Sequence, residues 1–283
     1  YQHSLGRIPF AAVVFDEIQT LKNPDSLRAH AGRAIKADFR IGLTGTPIEN
    51  RAVDLWAIMD QLAGGKLGTY HDFRGRYSTP DEVNMAELHG RVFGATERRP
   101  ALALRREKDS VARDLPIKSR KLHPRLMPQV QEAAYEHARL KLAEGGAGAA
   151  LKMLHHIRTV SVHPDLEGAR ADADVIAASG RLEATFAILR TIAAAQEKAL
   201  VFIEHRQMQY RFIELVKATY GLKRVDLING DTPIDKRQAI VDRFQGQGPG
   251  FDLLVLGPKA AGTGLTLTAA THVIHLSRWW NPA

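Results

Sequence analysis

The chain has no cysteine among its 283 residues, which excludes disulfide bonds, thiolate zinc sites and cysteine nucleophiles together. It has no apolar run near the ~20 residues of a membrane span and no charged-then-apolar leader, so nothing in it points to a membrane or to secretion. Nowhere does it carry Gly-x-x-x-x-Gly-Lys-Ser/Thr, the loop that cradles nucleotide phosphates. The glycine cluster Gly145-Gly146-Ala147-Gly148 lacks the lysine–hydroxyl pair and follows no apolar strand, so it reads as a flexible connector. The chain also lacks an initiating methionine: it opens on Tyr1 and closes on Trp280-Asn281-Pro282-Ala283, and the expectation is a fragment of a longer protein.

What is present is ordinary soluble composition, 45% hydrophobic and 25% charged, at a length that suits about two domains and a sizeable core. The net charge of +8 and pI near 9.8 agree with a polyanionic partner without identifying one. Residues 98–125 concentrate that charge, with ten lysines and arginines against Glu107, Asp109 and Asp114. Taken singly, most of those cations belong to a solvated face with unremarkable ion pairs.

The most informative stretch is 11–50. An apolar run, Ala11-Ala12-Val13-Val14-Phe15, delivers Asp16-Glu17-Ile18-Gln19; later Ile41-Gly42-Leu43 delivers Thr44-Gly45-Thr46-Pro47. Both read as buried parallel strands, and in an open α/β sheet ligands bind beyond the strands' carboxyl ends. Phosphoryl transfer needs a carboxylate to hold hydrated Mg²⁺ and a second group to orient the attacking water, roles that Asp16 and Glu17 fit. Alone, the dipeptide is only a polar turn. The two hydroxyls around Gly45, ended by a proline that stops the ladder, give it the second half of a site.

Helices are expected over 25–36, capped by Asn23 or Asp25, and over 51–62, where Trp56 belongs to a broad apolar face. Residues 69–100 carry only short helices and loops, with Phe73 and Tyr77 packing locally. Alternation over 118–126 predicts a strand, followed by helices over 128–142 and 149–160. His155, His156 and His163 lack a carboxylate or cysteine at ligand spacing and read as structural. From Ser179 the sequence alternates helix (182–195), strand (199–203), helix (207–220), strand (224–228), helix (233–244) and strands (252–256, 272–276). That order predicts a second α/β lobe with a parallel sheet covered on both faces. Its third strand feeds Gly257-Pro258-Lys259-Ala260-Ala261-Gly262-Thr263-Gly264-Leu265, where glycines allow backbone N–H groups close to phosphate, and Lys259 and Thr263 add charge and a hydroxyl.

Asp16-Glu17-Ile18-Gln19-Thr20-Leu21-Lys22-Asn23 and Leu43-Thr44-Gly45-Thr46-Pro47-Ile48-Glu49-Asn50 resemble motifs II and III of the Swi/Snf family of DNA-translocating ATPases, in helicase-like superfamily two. Leu104-Arg105-Arg106-Glu107-Lys108 with Leu115-Pro116-Ile117-Lys118 resembles a signature of the same family. The second lobe resembles its motifs IV and V and the approach, Trp279-Trp280-Asn281-Pro282, to motif VI. The likeness covers nearly the whole chain and is weakest over 69–99 and 143–178. Departures are Gln19 for the commoner histidine, Ala261 and Thr266 for a usual glycine and asparagine, and Ser277 for a usual aspartate.

The resemblance implies an α/β fold of two RecA-like lobes with helical insertions: residues 1–127 the rest of the first, ATP-binding lobe with a helical protrusion, 128–178 an insertion and linker, 179–283 the second lobe. It implies ATP and Mg²⁺ as cofactors, with Asp16 holding the metal through water and Glu17 polarising the attacking water. Gln19, Thr44, Gly45 and Thr46 would couple nucleotide state to lobe contacts. Lys259, Gly262, Thr263, Gly264, Trp280 and Asn281 would meet DNA or the lobe interface, the tryptophans packing rather than stacking on bases. The implied partner is double-stranded DNA, tracked by its phosphates, with a protein partner recruited by regions outside the fragment. The phosphate loop would precede Tyr1 and the arginine fingers would follow Ala283, so the fragment alone is expected to be inactive. Rival expectations are a strand-separating helicase and a non-hydrolysing scaffold. The compact inserts and the Pro-Ile-Glu-Asn form of motif III lean bacterial, hence cytoplasmic and nucleoid-associated, or nuclear in a eukaryote.

Overall fold

A computed structural model describes residues 2–48, 51–79, 81–112, 114–144, 147–165, 171–246, 248, 250–261 and 265–277. They fall into two compact units, divided after Lys118. In chain order the first holds α1 (Gln2–Leu5), β1 (Pro9–Phe15), a 3₁₀ turn (Ile18–Leu21), α2 (Leu27–Ala34), β2 (Lys36–Gly42), α3 (Ala52–Leu62), α4 (Tyr70–Tyr77), α5 (Glu82–Phe93) and α6 (Lys108–Val111). The second holds α7 (Gln129–Glu144), α8 (Ala147–Val162), α9 (Asp172–Ala177), α10 (Gly180–Ala194), β3 (Lys198–Phe202), α11 (Arg206–Tyr220), β4 (Asp226–Ile228), α12 (Ile234–Gly246), β5 (Asp252–Leu256), α13 (Pro258–Ala261) and β6 (His272–His275).

In the first unit β1 and β2 run parallel, with Ala12 opposite Phe39 and Val14 opposite Ile41. The expected strands therefore form, but they are not buried: Val14, Phe39, Ile41 and Leu43 are all exposed. Among the described residues each strand has only the other as a sheet neighbour, so one face of the pair meets no covering layer. On the other side Gly42 admits the side chains of Ile18 and Leu62; a Cβ there would sit 2.8 Å from each. The core of this unit is instead helical. Leu55, Trp56, Ala57 and Met59 of α3 pack with Phe73 and Tyr77 of α4 and Leu88 and Val92 of α5. Trp56 is a core residue whose Nε1–H donates to the Gly68 carbonyl (3.0 Å).

Two local readings are corrected. The cap of α2 is Ser26, whose Oγ accepts from Ala29 N–H (3.2 Å); Asn23 Oδ1 is taken by Asp25 N–H one turn earlier. Residues 118–126 form no strand. With no partner ladder the alternating segment stays irregular, leaving Leu122 70% and Leu126 94% exposed.

The second unit is a four-stranded parallel sheet in the order β4-β5-β3-β6, with helices on both faces. Alternate residues of β3 and β5 serve the two sides. Ala199, Val201, Ile203, Leu253 and Val255 meet α10 (Leu182, Phe186, Leu189, Ile192) and α11 (Met208, Phe212, Leu215, Val216). Leu200, Leu254 and Leu256 meet Val241 and Phe244 of α12 and the 265–270 loop. Charged groups close the amino-terminal end of the sheet. Arg243 pairs with Asp226 and, at 3.0 Å, with Asp252, while Lys198 Nζ donates to the Phe244 carbonyl (2.8 Å). The 119–178 segment docks through Gln131, which donates to the Val160 and Ser161 carbonyls (3.0 and 3.1 Å) and accepts from Gly180 N–H (3.1 Å). His163 is 1% exposed, its Nε2 3.0 Å from the Val175 carbonyl and its Nδ1 accepting from Asp165 N–H (3.0 Å), a structural role as expected.

Candidate functional site

In the first unit the two predicted turns meet. Leu43 N–H donates to the Phe15 carbonyl (2.8 Å) and Ile18 N–H to the Leu43 carbonyl (3.0 Å), carrying the parallel ladder past the strand ends and holding Asp16-Glu17 beside Thr44-Gly45-Thr46. Asp16 and Glu17 are exposed, and Asp16 Oδ1 accepts from Glu17 N–H (2.8 Å). Glu17 adopts the left-handed conformation (φ 49°, ψ 46°), a costly state for a residue with a Cβ and one that clusters at functional sites. Its carboxylate accepts from Gln19 Nε2, and Gln19 is only 8% exposed. Thr44 Oγ1 accepts from Thr46 N–H (3.0 Å), and a Cβ on Gly45 would meet nothing within 4 Å, so the turn is open on the side of its glycine.

In the second unit the strand ends are joined by buried polar groups, among which the sequence does not single out Gln209. Gln209, 1% exposed, donates to the Ile203 carbonyl (2.7 Å) and accepts from Asn229 Nδ2 (2.9 Å), linking the ends of β3 and β4. Gly257 N–H donates to the Ile228 carbonyl (2.8 Å), and a Cβ there would press on Asn229 and Gln209 at 3.2 and 3.3 Å, so a larger residue would have to shift them by a few tenths of an ångström. Ser277 Oγ accepts from Glu204 N–H (2.8 Å), which ties β6 to the loop after β3. Arg206 pairs with Asp231 across the loops after β3 and β4, and Glu204 with Arg158 of α8. Gln245 holds the 265–270 loop, donating to the Thr266 carbonyl (3.2 Å) and Thr268 Oγ1 (3.0 Å) and accepting from Ala269 N–H (2.7 Å). Lys259 lies on the exposed first turn of α13, directly after β5. Gly262, Thr263, Gly264, Trp280 and Asn281 lie outside the described residues. No group of three or more metal-binding side chains occurs among the described residues.

Parallel α/β units whose polar turns cluster at the carboxyl ends of their strands define a class of ligand-binding sheet proteins. Within that class the sequence matches the SNF2-related domain over residues 1–178 and the helicase conserved C-terminal domain over residues 182–283. The chain belongs to the SNF2-related family. It is 33% identical to the Zorya protein ZorD of Escherichia coli, over 100% of this chain and 27% of that protein. It is 32% identical to the putative ATP-dependent helicase/translocase YwqA of Bacillus subtilis, over 99% of this chain and 31% of that protein. It thus spans about a third or less of the length of these relatives. Among solved structures it is similar to the Sulfolobus solfataricus SWI2/SNF2 ATPase core domain, with 28% identity and a TM-score of 0.51 over 98% of this chain and 58% of that one.

Proposed function

We propose that residues 1–283 belong to an ATP-dependent translocase that moves along double-stranded DNA and remodels protein–DNA complexes. The observation that carries this reading is the hydrogen-bonded junction of Asp16-Glu17 with Thr44-Gly45-Thr46 at the ends of two parallel strands, in a chain of the SNF2-related family. Asp16 suits hydrated Mg²⁺: it is exposed, one oxygen is engaged by Glu17 N–H, and Mg²⁺ keeps most of its waters while taking one or two carboxylates and phosphate oxygens. The ion, when bound, would neutralise charge on the nucleotide phosphates. Glu17 orients and polarises the attacking water. Gln19, Thr44, Gly45 and Thr46 relay nucleotide state to the contacts between the lobes. Lys259, Gly262, Thr263, Gly264, Trp280 and Asn281 are assigned to DNA or to the lobe interface. The division into 1–127, 128–178 and 179–283 is the functional one in this reading, and a protein partner is recruited by other parts of the molecule.

Residues 1–283 contain no phosphate-cradling loop with its lysine, so by themselves they do not turn over ATP. The relatives in Escherichia coli and Bacillus subtilis, with the Pro-Ile-Glu-Asn sequence, favour a bacterial protein acting on DNA in the cytoplasm. Among the described residues no helix is long and apolar enough to cross a membrane.

The test is ATP hydrolysis by the full-length protein with and without duplex DNA, beside a forked-duplex assay. The expected result is hydrolysis stimulated by duplex without strand separation. Unwinding of the fork would favour a helicase, and absence of any hydrolysis would favour a non-hydrolysing scaffold.

A further inference from the structure

The Asp16–Leu21 turn carries two costs side by side. Glu17 is held in the left-handed region, and Gln19 buries its Oε1 with no hydrogen-bond partner among the described residues. A short turn bears such costs only when other contacts outweigh them. Here Ile18, 1% exposed, is clamped by the Leu43 carbonyl and packs beneath Gly42, and Thr20 N–H returns to the Glu17 carbonyl (3.0 Å). The same Gln19 amide whose oxygen is unpaired uses its nitrogen to hold Glu17 Oε2. The carboxylate is thereby tied back to its own turn, and one of its two acceptor oxygens is occupied.

We propose that Gln19 is a positioning residue that restrains Glu17 in the resting turn, and that a rearrangement giving Gln19 Oε1 a donor releases the carboxylate to its water. This rests on the assignment of Glu17 as the group that orients the attacking water. The direction of the switch follows from the two costs. A turn that relaxes Glu17 from the left-handed region and pairs Oε1 recovers both, so the restrained form needs little bias to give way. Gln19 thus couples the turn to its surroundings through a specific bond to Glu17 and not through packing alone.

The experiment is ATP turnover by the full-length protein, with and without duplex DNA, for wild type, Gln19→Leu, Glu17→Gln and the double variant. Leucine keeps the buried volume while removing both the donor and the orphaned acceptor. DNA-independent turnover is expected to rise about tenfold in Gln19→Leu, the low end of the worth of a hydrogen bond to a charged group, with the stimulation by DNA reduced by the same factor. That rise must vanish in the double variant. Gln19→Asn, too short to reach Glu17 from the same backbone, is expected to reproduce it if leucine impairs folding. A DNA-independent rate that falls or stays unchanged in a variant that still binds a fluorescent ATP analogue would overturn the restraint. Near-normal turnover by Glu17→Gln alone would sink the assignment of Glu17, and this inference with it.

Discussion

The two sheets of the molecule are built from similar material and end up in opposite surroundings. Leu253, Leu254, Val255 and Leu256 of β5 are each 0% exposed, while Val14 of β1 and Phe39 of β2 are 57% and 62% exposed. Strand propensity is comparable in the two places, so the difference lies in the layers. In the second unit each face of a four-stranded sheet has its own helices, whereas the first unit has, among the described residues, two strands with one face covered. Pairs of strands are marginal without packing, and here stability comes from the α3–α5 cluster and the Gly42 contact. The carboxylate turn thus stands on a lightly supported pair of strands, whereas the second unit presents its loops from a core packed on both faces of its sheet.

The sharpest way to break this contrast is at the amino-terminal end of the second sheet. Arg243→Ala removes an arginine paired with both Asp226 and Asp252, which are 8% and 5% exposed; Asp226 keeps Arg224 (2.7 Å), so the loss of about 3–5 kcal/mol expected in urea unfolding falls chiefly on Asp252. Next comes Leu254→Ala, a deletion in a fully buried strand, at about 2–5 kcal/mol. The paired control is Phe39→Ser on the open face of β2, expected within about 0.5 kcal/mol of wild type by the same measurement. Equal losses at Leu254 and Phe39 would mean that the β1–β2 face is covered in solution.

The smallest effect is a pH dependence at His205. Its Nδ1 caps α11 by accepting from Met208 N–H (3.4 Å), and its ring stacks near His155 at 6.4 Å between centroids. Burial first, and His155 second, lower its pKa below the ordinary value of about 6.5. The unfolded chain therefore takes up this proton at a higher pH than the fold does. Its contribution is intact above about pH 6.5 and declines as the pH falls from there towards the lowered native value. Glu204, Arg158, Arg206 and Asp231 are already engaged as ion pairs around the same loop. His205→Asn keeps a capping side chain without a titrating group. Unfolding midpoints between pH 7.5 and 5.5 should fall less steeply for it than for wild type, and an unchanged slope would remove His205 from the acid response.

The second lobe was legible because its strands are continuous apolar runs separated by helices with a regular buried stripe. Met208, Phe212, Leu215 and Val216 in α11 are such a stripe. The turns of the first unit were legible for a chemical reason, since carboxylates and hydroxyls follow apolar strands. What could not be read depends on partners distant in sequence. Alternation over 118–126 has the pattern of a strand but no ladder to join. Gln209 is an unremarkable polar residue until the fold brings it to Asn229 at the strand ends, and nothing local marks Arg243 as the bridge between two buried aspartates. The left-handed backbone of Glu17 likewise has no signature, because glutamate is not a residue that favours it.

In the proposed function Glu17, at the junction of the two turns, serves hydrolysis and not nucleotide binding. Its most direct test is Glu17→Gln in the full-length protein, with ATP affinity and duplex-stimulated turnover measured on the same preparation. Unchanged affinity with turnover reduced to background is the expected result. Turnover near that of wild type would contradict it.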